Sequence, residues 1–123
     1  MINQMSFLGL VVKDVAAATE FYTNMLGFTV NTKESIPNVY TQFDLNGNDG
    51  AIFALLGGFE QDDVEQDFDT ALAVDDVDAT YAKYKEAGVE ILGEPRDMPF
   101  GRTFLLHTPD GHVLRIFKPT STN

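Results

Sequence analysis

The sequence predicts an α+β fold made of two βαβββ modules, residues 1–60 and 61–123, within one structural domain. Three observations predict it. The stretch FLGLVVKDVAAATEFY (7–22) lies over DTALAVDDVDATYAKY (69–84) with six identities in sixteen positions at an offset of 62, where unrelated stretches would share roughly one. DGAIFALL (49–56) echoes DGHVLRIF (110–117) at an offset of 61. Each half therefore begins and ends alike, the mark of a duplicated unit. Inside each half the local signals run strand, helix, strand, strand, strand, and a unit of about 60 residues buries too little surface to be comfortable alone.

The elements follow in order. MSFLGLVV is a short β-like run. Asp14 caps a helix whose apolar stripe is Val15, Ala18, Tyr22 and Met25, and Gly27 ends it. Strands are predicted at 28–34, 38–45 and 50–56, with NGNDG turning between the last two. In the second half Asp76 caps a helix with a Val77, Tyr81 and Tyr84 stripe, and Gly88 ends it. Strands at 89–94, 102–107 and 112–117 complete the module, TPDG forming the last turn. The opening strands divide their faces. Leu8, Leu10 and Val12, like Leu72 and Val74, form a large apolar face suited to the helix, while Gly9, Ala71 and Ala73 leave room on the other side. A cavity is expected there, unless another element fills it.

Composition narrows the function classes. The 123 residues carry a formal charge of −11 and no cysteine. Disulfides, zinc–thiolate sites and cysteine nucleophiles are excluded, and nucleic acid is a poor partner for so acidic a chain. No apolar run approaches the roughly 20 residues of a membrane span, and MINQMSFLGL lacks the basic region of a signal peptide. A cytoplasmic protein is expected. The acids are uneven. EQDDVEQDFD (60–69) holds six acids and no base and reads as a solvated linker, or alternatively as an attractor of cationic ligands.

FLGLVVKDVAAATEFYTNMLGF, LAVDDVDATYAKYKEAGVEI and PFGRTFLLHTPDGHVLRIFKP, taken in this order, resemble the opening, second module and closing of the vicinal-oxygen-chelate superfamily, also called glyoxalase/bleomycin-resistance/extradiol-dioxygenase. The resemblance covers nearly the whole chain. It implies two βαβββ modules whose curved mixed sheets enclose a pocket, commonly in a homodimer. It also implies four metal-ligand positions, the first residue of the opening strand and one residue of the last strand in each module. Here they read Phe7, Ala54, Asp69 and Arg115. Phe and Ala have no lone pair to give, and Arg is a permanent cation with no acceptor. Neither neighbouring positions nor His112, of opposite strand parity to Arg115, restore a donor set, and a site from Asp69 and His107 would be a different one. No metal or other cofactor is expected.

Asp69 and Arg115 are instead expected to meet as an ion pair or to receive a polar ligand; the competing reading leaves Asp69 in water with the acidic run. Met98, Pro99, Phe100 and Gly101 stand where the resemblance implies a pocket-side loop, so Met98 and Phe100 join Phe7, Ala54, Asp69 and Arg115 as candidate ligand-binding residues, or simply close the core. No catalytic residue is assigned. The expected function is a metal-free binding protein for a small molecule, an antibiotic or a hydrophobic or cationic ligand, as in bleomycin resistance. Two alternatives stand beside it: a metal-dependent enzyme of the glyoxalase or dioxygenase kind, and a regulatory module with a vestigial pocket.

Overall fold

The computed structural model describes residues 6–45, 51–57 and 70–119. The chain divides into two compact units, Met1–Asp62 and Asp63–Asn123, and each has the β-α-β-β-β order that its sequence predicts. NGNDG and the acidic run 60–69, Asp69 included, lie outside the described residues.

In the first unit β1 (Phe7–Val11) pairs parallel with β4 (Ile52–Leu56), and β3 (Tyr40–Asp44) joins β4 to the two-residue β2 (Thr29–Val30), giving the order β1-β4-β3-β2. The register sets Leu8 beside Phe53 and Leu10 beside Leu55 on one face, and Phe7 beside Ile52 and Gly9 beside Ala54 on the other. Asp14 Oδ1 accepts the N–H of Ala17 at 3.0 Å and caps α1 (Val15–Glu20). The helix then widens into a π-helical turn over Phe21–Met25, where Leu26 N–H reaches back to Phe21 O at 3.2 Å. That turn corrects the predicted stripe. One extra residue per turn carries the core side past Met25, and Phe21 and Leu26 are buried with Tyr22 instead. Tyr22, Phe28, Phe43 and Phe53 form the core, with ring centroids 5.2–5.9 Å apart.

The predicted strand 28–34 is cut short because Asn31 Oδ1 accepts the N–H groups of Lys33 and Glu34, both at 3.1 Å. This side-chain turn competes with the ladder and ends it.

In the second unit β5 (Thr70–Ala73) pairs parallel with β8 (Val113–Pro119), followed by β7 (Gly101–His107) and β6 (Glu90–Met98), in the order β5-β8-β7-β6. Asp76 caps α2 (Val77–Ala87), and Gly88 ends it in the left-handed region at φ 91°. Leu106, Leu114 and Ile116 are buried on one face of this sheet. On that face Phe104 meets the rings of Tyr81 and Tyr84 from α2. No described helix is long and apolar enough to cross a membrane.

The duplication holds in register. Gly9 lies opposite Ala54 in the first unit, and Ala71 lies opposite Arg115 in the second. These are the pairs that the two sequence offsets equate.

Candidate functional site

The second unit presents a site on the sheet face turned away from α2. Side chains alternate along a strand, so burying Phe104, Leu106, Leu114 and Ile116 puts Thr103, Leu105, Arg115 and Phe117 on the opposite face. Ala71 and Ala73 share that face through their pairing with Arg115 and Phe117, and both are exposed. The β6–β7 hairpin closes on the pair Met98–Gly101, with Pro99 and Phe100 at its tip. The expected loop is thus a tight turn, because β6 runs to Met98 rather than stopping at 94. It gets there through an irregularity between Leu92 and Arg96, where Gly93 takes φ 94°.

Phe100 leans back over the sheet. The guanidinium carbon of Arg115 lies 5.1 Å from its ring centroid, and the Phe100 and Phe117 centroids are 6.4 Å apart. Arg115 Nη1 donates to Thr103 Oγ1 at 3.2 Å. Beside this cluster is a cleft of about 200 Å³ whose lining includes Leu92, Leu105, Met98, Glu94, Arg96 and Arg115. Leu92, Met98 and Phe100 are 36%, 38% and 44% exposed, an apolar rim that no described neighbour covers.

The other predicted residues are placed as follows. Phe7 is 43% exposed and Ala54 fully buried, both on the first unit's sheet. The room expected above Gly9 is taken, since a Cβ there would lie 2.7 Å from both Phe7 Cε1 and Leu56 Cδ1. Two neighbours on the same face fill the gap that a missing side chain leaves. Because Asp69 lies outside the described residues, its pairing with Arg115 has no description. His107 lies near the surface with Nδ1 3.5 Å from Glu90 Oε1. His112 turns into the core, as its parity predicts, and burial holds its imidazole below its ordinary pKa.

These residues do not fit a divalent metal. Phe7 ends in a ring, Ala54 in a methyl group, and Arg115 in a cation hydrogen-bonded to a hydroxyl. Among the described residues no three His, Asp or Glu side chains group as a metal site.

Sequence reasoning missed Thr103, Leu92, Leu105 and Arg96. Thr103 and Leu105 were legible in principle, twelve and ten positions from Arg115 on strands of known parity, and so was Leu92, which pairs with Leu105. Arg96 depends on the irregularity in β6, which carries no periodic signal. It also missed a cleft of about 350 Å³ in the first unit between α1 and β3, where Thr19 and Thr41 share a 2.8 Å hydrogen bond.

Residues 3–116 match the family model described as the glyoxalase/bleomycin resistance protein/dioxygenase superfamily. The chain is 46% identical over 48 residues to the protein CFP32 of Mycobacterium bovis, a match covering 38% of this chain and only 18% of that longer relative. It is 30% identical over 116 residues to the phenazine antibiotic resistance protein EhpR of Enterobacter agglomerans, covering 85% and 84% of the two chains. Among solved structures it is similar to TnmS3, an antibiotic binding protein from Streptomyces sp. CB03234, with a TM-score of 0.71, 27% identity and coverage of 97% and 98%.

Proposed function

The chain belongs to the glyoxalase/bleomycin resistance protein/dioxygenase superfamily, and we propose that within it the protein is a small-molecule binder that works without a metal. One observation carries this reading: at the β8 position where the family resemblance implies a metal ligand, Arg115 is stacked on Phe100 and tied to Thr103. A Lewis-acid reaction needs electron-pair donors around an ion. A guanidinium offers none and repels the ion. The same group suits a polar ligand whose flat part rests on the apolar rim formed by Leu92, Met98 and Phe100. The names of EhpR and TnmS3 support an antibiotic-type ligand. The homodimer implied by the resemblance belongs to the same proposal.

Two measurements test it. Protein equilibrated with zinc, nickel or iron(II) and then dialysed is expected to retain far less than one ion per chain by elemental analysis. A thermal-shift screen of phenazines and other planar antibiotics is expected to find ligands that raise the melting midpoint when present well above their dissociation constants. Stoichiometric metal that is lost on mutating Asp69, or silence across a broad planar library, overturns the reading. Sedimentation velocity checks the dimer.

A further inference from the structure

We propose that the cleft of the first unit between α1 and β3 is a small-molecule site of its own, selective for flat apolar molecules that carry a hydrogen-bond donor. The proposal is independent of the binding-protein reading above, which rests on the second unit. The cleft has a volume of about 350 Å³, within the range of pre-formed ligand pockets. Val15, Ala16, Val30 and Pro37 give it apolar walls. The wall made by the connection from β2 to β3 is pinned by its own hydrogen bonds. Ser35 Oγ donates to Asn31 O at 2.6 Å and accepts the N–H of Gln42 at 3.0 Å. Ile36 N–H donates to Tyr40 O at 2.8 Å, and Val39 N–H to Ile36 O at 3.0 Å. A ligand meets a wall already in place and has little chain to order on entry.

The direction of the hydroxyl hydrogen bonds sets the selectivity. Thr19 Oγ1 lies 2.6 Å from Val15 O. A carbonyl brings no proton, so the Thr19 proton lies in that bond. Thr19 Oγ1 and Thr41 Oγ1 are 2.8 Å apart, and Thr41 is therefore the donor between them. The Thr41 hydroxyl has given its single proton away and keeps acceptor capacity that no described donor fills. Tyr40 likewise gives its O–H to Gln42 Oε1 at 2.8 Å, and the Ser35 proton is held by Asn31 O. Thr32 and Asn38 are exposed, and water meets either need there. Thr41 is different, because it is 5% exposed. A molecule that fills the cleft shuts water out from its oxygen. A ligand N–H or O–H takes the place of that water. A ligand without one leaves a buried acceptor unmet, at the cost of its desolvation.

The test is titration calorimetry of the full chain with indole and benzofuran, ring systems of one shape that differ in an N–H against an ether oxygen. Amide chemical shifts locate the bound probe. Indole is expected to bind about threefold to tenfold tighter than benzofuran, the range of one neutral hydrogen bond. It is expected to shift the amides of Thr19, Val30 and Thr41. Thr41→Val is expected to remove most of the preference by weakening indole, and Thr41→Ser to keep it. Ala16→Phe, at an exposed helix position lining the cleft, is expected to fill the space and abolish binding of both probes. If benzofuran binds as tightly as indole, or if Thr41→Val leaves the ratio unchanged, the donor selectivity is overturned. If neither probe binds, or if the shifts and Ala16→Phe put the binding elsewhere, the site itself is overturned. Either result leaves the reading of the Arg115 cleft as it was, because none of its residues takes part.

Discussion

Arg115 Nη1 donates to the hydroxyl of Thr103 at 3.2 Å, and the same hydroxyl donates to the carbonyl of Ile116 at 3.0 Å. Thr103 is 3% exposed and lies on β7 opposite Phe117 of β8. One buried oxygen thereby links a guanidinium on the open face of the sheet to the backbone of the strand that carries it. The arrangement fixes Arg115 from below while Phe100 fixes it from above.

Thr103→Val keeps the shape of the side chain and removes that oxygen. The Ile116 carbonyl loses its side-chain donor, and Arg115 loses an acceptor. A destabilisation of about 1–2 kcal/mol is expected, in the range of one buried hydrogen bond and its desolvation. Urea unfolding reads it as a lower midpoint with an unchanged slope. Ligand affinity is expected to fall further than stability does, because the fork is no longer held in one plane.

The fold was legible because its evidence is redundant. Asp14 and Asp76 both cap helices, Gly27, Gly88 and Gly111 all take positive φ, and the two offsets equate the Gly9–Ala54 and Ala71–Arg115 pairs. What stayed hidden depends on single side chains acting locally. The Asn31 turn ends β2, the π turn moves the stripe from Met25 to Leu26, and the β6 irregularity brings Arg96 to the cleft. None of these has a period to detect. The candidate site was half legible. Parity and the resemblance pointed to Arg115, Met98 and Phe100, but not to the Thr103 hydroxyl that holds Arg115 in place.

A second guanidinium stitches the helix to the sheet. Arg102 gives Nε and Nη2 to the two carboxylate oxygens of Asp78 at 2.9 and 2.8 Å, and Nη1 to Asp97 at 3.1 Å. The Arg102 hydrogen bonds hold the Asp78 carboxyl below its ordinary pKa. A lowered carboxylate pKa contributes stability above the unfolded value, which is lost as pH falls through the folded one. The cluster is exposed, so its contribution is small and screened by salt. Asp78→Asn is expected to lower the melting temperature slightly in dilute buffer. The gap between wild type and variant should close in molar salt and at acid pH.

His112 works in a different pH window. It is 5% exposed, and its Nδ1 has no hydrogen-bond partner among the described residues. Burial lowers its pKa from the ordinary 6.5, with the charge of Asp110 acting weakly the other way. The folded state therefore binds the proton less readily than the unfolded chain does. Stability is full above the unfolded pKa, declines as pH drops below about 6.5, and levels off beneath the folded pKa. Chemical denaturation between pH 8 and 5 is expected to show this decline in the wild type. His112→Asn should flatten that part of the curve, whatever it does to absolute stability.

Two glycines in strands separate backbone strain from side-chain crowding. At Gly101, which opens β7 across from Pro119, φ is 146° and an added Cβ would lie 2.2 Å from the carbonyl oxygen of Lys118. Backbone on both sides of the contact leaves no rotamer to relieve it, and other residues rarely adopt the φ itself. Gly101→Ala is expected to cost about 2–4 kcal/mol and to splay the hairpin that carries Met98 and Phe100. At Gly9 the atoms in the way are the ends of the Phe7 and Leu56 side chains. Phe7 is 43% exposed and can swing outward. The lower entropy of an unfolded chain bearing alanine offsets part of that movement, so Gly9→Ala is expected to stay within about 1 kcal/mol of wild type. Thermal unfolding of the two variants side by side checks the contrast, and equal losses would mean that the close approach of β7 to β8 at Lys118 is not a rigid feature of the fold.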